Sequence, residues 1–288
     1  MPLTGAVLSV DICHPSETRY PRTRVFLQQS AKALADYAIS YHLVLLMILQ
    51  ERRNLQISNL PLLRDINHAQ IEQKLQSPPH VCLVEELKSP EIGRLWGCVA
   101  KDTQDIAVYG QGICLNADMV KVFEREPPGT PLSLICQVLI FATFAHETMH
   151  CLHHHFFPHQ QFLTTLPTND ARGEMGWELE TQLLGGIVGV TWGEVGNFRT
   201  IQMLTFRERG LSGPLKQITD DIAEEFLACL TNGVIRRIKP PFAEIPEPVS
   251  PLVNSRGPIV RPSSEAETGL QLPDGVLLSF VGSDRWLP

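Results

Sequence analysis

Apolar positions divide the chain into a helical start, a stranded middle, a long buried helix with a companion, and a proline-rich end. Residues 25–53 contain no Gly or Pro. Phe26, Leu27, Ala31, Leu34, Ala38, Ile39, Val44, Leu45 and Ile48 recur there at near-helical spacing, which predicts one long helix packed on a domain. Residues 1–24, with Pro15 and Pro21 and little periodicity, predict an irregular lead-in. A short helix is expected at 69–76. Three short runs follow, 80–85, 95–100 and 106–115, rich in Val, Ile, Cys, Trp and Tyr and separated by the turn-forming KSPEIG and KDTQD; they predict strands. Gly110-Gln111-Gly112 in the third predicts a bulge, with a close approach of substrate backbone as the alternative, and Asn116-Ala117-Asp118 opens a helix reaching about Arg125.

The next element is the most strongly specified. Thr130 is an N-cap residue, Pro131 suits the first helical position, and the chain then runs to Phe156 without Gly or Pro. Leu139, Ile140, Phe141, Ala142, Phe144, Ala145, Met149 and Leu152 make it apolar almost all round, which predicts a helix inside a domain. Another helix is expected from a cap at Asn169 or Asp170 to a stop at Gly185-Gly186. The glycine-spaced stretch 187–198 predicts loops or short strands. Residues 218–238 predict an amphipathic helix with Ile222, Phe226, Leu227, Leu230, Val234 and Ile235 on its buried side. Residues 239–262 hold seven prolines and predict a linker or tail, with a C-terminal hairpin around Pro273-Asp274-Gly275. The expected fold class is α+β: a mainly helical domain over 1–238, its core at about 81–186, with a small sheet preceding the buried helix, and a tail over 239–288.

The buried helix carries His146-Glu147-Thr148-Met149-His150. At about 100° per residue, His146 and His150 lie one turn and about 40° apart, so both imidazoles reach one point, where a divalent metal fits. A zinc with three protein ligands keeps one position for water and lowers that water's pKa to about 7, and an adjacent carboxylate can take its proton. Glu147 is that carboxylate. With 10 His and 31 Asp+Glu in 288 residues, chance gives about 0.04 such His-acid-x-x-His matches in the chain. Buried polar side chains also need partners, which a metal supplies.

The motif resembles that of the zincin superfamily of metallopeptidases, whose active-site helix carries HExxH. The resemblance implies His146 and His150 as zinc ligands and Glu147 as general base and acid. The chain departs from the metzincin extension HExxHxxGxxH, since His153 replaces the Gly and Phe156 the last His, so a third ligand must come from elsewhere. In gluzincins, the thermolysin-like group, a glutamate of the next helix completes the site. Glu174, Glu178 and Glu180 fall at suitable distances. The run E-x-G-x-x-x-E-x-x-x-x-G-G, from Glu174 to Gly186, also resembles a segment of uncharacterised fungal proteins with a zincin-like HExxH, in which both outer glutamates recur.

Two arguments divide these glutamates. With Glu174 at 0°, the apolar residues Met175, Trp177, Leu179, Leu183, Leu184 and Ile187 occupy about 100° to 300°, and Glu180 sits near 240°, inside that face. A carboxylate on a buried face wants a cation, and Gly176 one turn earlier clears space beside it. Against this, the gluzincin pattern places the ligand at the start of its helix with a second carboxylate four residues on, as Glu174 and Glu178 do. Glu180 is the preferred third ligand, Glu174 the alternate ligand or a partner of a histidine, and Glu178 a solvated carboxylate.

Composition narrows the rest. A net charge of −7 and a pI near 5.8 argue against nucleic-acid binding through a basic surface. Seven dispersed cysteines set among apolar residues read as thiols of a reducing compartment. Cys151, beside His150, points about 100° away from it. The N-terminus lacks the charged and apolar regions of a secretory signal, and the apolar run 42–49 is too short to span a bilayer, so an intracellular, cytoplasmic protein with no membrane partner is expected. His153, His154, His155 and His159 are expected as a solvent-facing helix end, with His154 a further candidate ligand or proton donor. The leading expectation is a zinc-dependent peptidase acting on a peptide or protein substrate. The alternatives are a non-catalytic zinc protein using the same ligands and a helical interaction protein without metal. Sequence leaves the oligomeric state open.

Overall fold

The structure is a computed structural model that describes residues 4–9, 11–14, 18–54, 56, 60–76, 79–89, 93–100, 112–158, 175–208 and 215–245. The architecture is α+β. Strand β1 (Thr4–Ser9) lies where an irregular lead-in was expected, because it pairs antiparallel with β2 (Val81–Ser89). With β3 (Gly93–Arg94), β4 (Gly97–Val99) and β5 (Ile113–Asn116) these form a five-stranded sheet of order β1-β2-β5-β4, β3 pairing β2; β2 and β5 run parallel. The first two expected strands are thus met by β2 and β4, the third by β5 at its end, its residues 106–111 lying outside the described residues, while β3 begins within the expected turn. Gly112 is a place of close backbone approach, since a Cβ there would lie 2.1 Å from the His80 carbonyl oxygen; its neighbours Gly110 and Gln111 lie outside the described residues.

The expected single long helix is two: α1 (Pro21–Ala35) and α2 (Ala38–Asn54), bent by 68°. The corner is tied to a distant part of the fold, the Tyr37 hydroxyl donating to the Ile235 carbonyl at 2.5 Å. Helix α3 (His68–Leu75) is capped by Asn67, whose Oδ1 accepts the Gln70 N–H at 2.9 Å. Helix α4 (Ala117–Arg125) is capped by the buried Asn116, which accepts from Asp118 at 3.0 Å and donates to the Leu95 carbonyl at 2.8 Å. Helices α1 and α4 complete each other's ends. Glu124 Oε1 accepts the Thr23 N–H at 2.7 Å and hydroxyl at 2.8 Å, while Arg22 Nη1 donates to the carbonyls of Phe123 at 2.6 Å and Glu126 at 2.5 Å.

Helix α5 (Pro131–Phe156) begins as the sequence predicts, with Thr130 Oγ1 accepting the Ser133 N–H at 3.3 Å. It is buried on nearly every side. It is long and apolar enough to cross a membrane, but 89% of its apolar window is buried inside the fold. Sheet residues Val81, Leu83, Val99, Ile113 and Leu115 belong to the core it enters. Strand β4 comes so close that a Cβ at Gly97 would lie 2.5 Å from Thr143 Cγ2, one turn before Glu147.

Helix α6 (Met175–Leu184) packs on α5 and ends at Gly185, whose φ of 88° turns the chain out of the helix. A second sheet follows, of order β6-β7-β8-β9: β6 (Gly186–Trp192), β7 (Ile201–Glu208), β8 (Leu215–Ile218) and β9 (Ala243–Glu244). Trp192 of β6 meets Trp96, beside β4, edge-on at 6.5 Å between ring centroids, joining the sheets. Helix α7 (Asp220–Thr231) is shorter than the expected 218–238 because Asn232-Gly233 turns the chain at a φ of 77°. Phe226 of α7 packs edge-on against Phe141 of α5 at 5.4 Å. The described fold runs past 238 through β9; the expected tail hairpin lies outside the described residues.

Candidate metal centre

Helix α5 delivers His146 and His150 side by side, both at 0% exposure, with their Nε2 atoms 3.3 Å apart. That spacing is a test of fit. Two nitrogens each about 2.05 Å from a tetrahedral ion stand about 3.3–3.4 Å apart. The 3.3 Å spacing matches that of two ligands of one ion, and it is equally that of a hydrogen bond between the two rings.

The other edge of His146 is held from α6. Glu180 Oε1 accepts from His146 Nδ1 at 3.0 Å, and its Oε2 accepts the Val188 N–H of β6 at 3.1 Å. An ionised carboxylate only accepts, so Glu180 favours a proton on Nδ1, and in the neutral ring that leaves the Nε2 lone pair on the side of His150. Glu180, the expected third ligand, is thus seen holding the Nδ1 edge of His146. It does lie on the buried face of its helix, and from there the carboxylate orients the His146 ring. Gly176 permits the approach. A Cβ there would lie 2.3 Å from both Cε1 and Nε2 of His146. The space expected beside Glu180 is thus taken up by the His146 ring.

Glu147 is also buried at 0% exposure. Its charge reaches Cys151, whose thiol is pushed up first by burial and then by Glu147. Among the described residues no group of three His, Cys, Asp or Glu is arranged to hold a metal ion. Glu174, the alternate ligand, lies outside the described residues, directly before the first turn of α6. Glu178 is half-buried on the other side of α6 and accepts from Gln182 Nε2 at 3.2 Å, in keeping with a solvated carboxylate.

The histidines after the motif divide. His155 is exposed and His154 half-buried, but His153 is fully buried, contrary to the expected solvent-facing cluster. Its Nε2 accepts from Arg52 Nη2 of α2 at 2.9 Å, and its ring stacks on Phe157 at 5.1 Å. Arg52, itself 3% exposed, also lies over Phe157 at 4.8 Å. Sequence reasoning missed this pair. The available signal was spacing: His153 is seven residues after His146 and so on the same helical face.

No family model matches this sequence, and neither a curated protein nor a solved structure matches it.

Proposed function

We propose that this chain is a zinc-dependent metallopeptidase of zincin type. The observation that carries the reading is the 3.3 Å Nε2 pair of an HExxH helix with its first histidine backed by a buried carboxylate. In this reading His146 and His150 hold the zinc, and Glu174, the alternate ligand of the sequence analysis, supplies the third. Glu180 fixes the tautomer and aim of His146. When bound, zinc supplies the Lewis acidity that lowers the pKa of water and polarises a scissile carbonyl. Glu147 accepts the proton of the attacking water and passes it to the leaving amine. Strand β4, which ends the described strand order and touches α5 one turn before Glu147, is where an extended peptide adds to the sheet.

A second reading, a zinc protein without catalysis, is favoured by one observation: His146, Glu147 and His150 all have 0% exposure. Cleavage of an unfolded protein by wild type and by Glu147→Gln, each loaded with equal zinc, separates the two. The peptidase reading expects cleavage that falls by a factor of at least about 100 in Glu147→Gln. Zinc retention with no Glu147-dependent cleavage supports the second reading and overturns the first.

A further inference from the structure

Cys82 of β2, Cys114 of β5 and Cys98 of β4 are direct cross-strand partners. Cys82 is opposite Cys114 in the parallel pair and Cys98 is opposite Cys114 in the antiparallel pair, so three thiols stand in one row. All three are at 0% exposure and belong to a cluster with Val84, Leu87, Leu95 and Ala100, distinct from the core around α5. Cys82 Sγ donates to Cys114 Sγ at 3.4 Å, and Cys114 is hydrogen-bonded in turn to Cys98. Neighbouring strands are about 4.8 Å apart, inside the roughly 4.4–6.8 Å window of Cα separations that a disulfide spans. A packing role alone asks only for small apolar side chains, for which alanine or valine serves equally.

We propose that the row is an oxidisable thiol relay in which Cys98 is the entry thiol and Cys82–Cys114 the final disulfide, stapling the two parallel strands. The oxidant is a hydroperoxide. Cys98 attacks its terminal oxygen, giving a sulfenic acid and releasing water or alcohol; Cys114 then displaces the sulfenic oxygen as water, forming Cys98–Cys114. Cys82 attacks Cys114, forming Cys82–Cys114, and its proton passes to Cys98, which returns to the thiol. The balance is two thiols and one hydroperoxide to one disulfide, water, and a second water or an alcohol. Position supports Cys98 as the entry, since three-residue β4 ends the described strand order and opens at lower cost than the central β5. The hydrogen bond to Cys114, and then burial, push the Cys82 thiol up, which makes the relay slow and dependent on that opening.

The test uses the full chain, folded, treated with hydrogen peroxide, quenched in acid, unfolded and alkylated. Wild type is expected to lose two of its seven thiols with a mass loss of about 2 Da, and peptide mapping to find Cys82 joined to Cys114. Cys98→Ser is expected to form that link at least about threefold more slowly. Cys229→Ser is expected to leave both rate and product unchanged. Seven alkylated thiols after treatment, or oxidation confined to Cys13, Cys151 and Cys229, overturns the relay; an unchanged rate in Cys98→Ser overturns its role as entry. None of these readouts depends on zinc or on peptide cleavage.

Discussion

Glu180 and His146 form a pair with no exposed surface, joined at 3.0 Å through Nδ1, while the second carboxylate oxygen takes the Val188 N–H at 3.1 Å. One side chain thus ties α5, α6 and the first strand of the second sheet. Glu180→Gln keeps an acceptor for Nδ1 but turns an amide toward one donor. We expect zinc affinity to fall by about 10–100-fold without being abolished, measured by competition with a chelator. Loss of all zinc even at high free metal would return Glu180 to the role of ligand. Glu174→Gln, in contrast, is expected to abolish stoichiometric retention.

Gly176→Ala tests the close approach of the two helices. In an exposed helix this substitution gains about 1 kcal/mol. Here the added methyl sits 2.3 Å from His146 Nε2, so a net loss of about 1–3 kcal/mol is expected from urea unfolding. A stabilised variant would show that the ring is not confined.

Arg52→Ala removes the donor to His153 and the packing over Phe157. With both residues buried, a loss of about 2–4 kcal/mol is expected, more than a surface arginine costs. A change within about 0.5 kcal/mol in equilibrium unfolding would mean that solvent replaces the guanidinium freely.

Alkaline pH should weaken the fold. Burial first, and then Glu126, push the Cys136 thiol from its ordinary 9.0 up to about 12. A raised folded value means that stability is fully present below the unfolded value and is lost as pH rises through the folded one. Unfolding free energy is therefore expected to decline from about pH 9 toward 12, and Cys136→Ala to flatten that decline. A slope identical in Cys136→Ala would place the titrating group elsewhere.

The parts of this molecule that the sequence made legible are those with local causes. Thr130, Pro131 and an uninterrupted apolar run define α5 because capping and helix continuity act over a few residues, and the spacing of His146 and His150 follows from helix geometry alone. The bend between α1 and α2 was not legible: its corner residue Tyr37 meets Ile235, 198 positions away, which no local pattern announces. The face on which Glu180 lies could be read from periodicity, but which edge of His146 it would meet depends on how α6 docks. The buried state of His153 likewise comes from Arg52, 101 positions earlier. Strands β7 and β8 escaped notice because their burial alternates only in part.

The central claim is that His146 and His150 bind one zinc. Metal analysis of the purified full chain, after dialysis against a weak chelator, tests it most directly. The account predicts about one zinc per wild-type chain and none in folded His146→Ala or His150→Ala. Wild-type protein that is folded and holds no zinc after incubation with excess metal would contradict it.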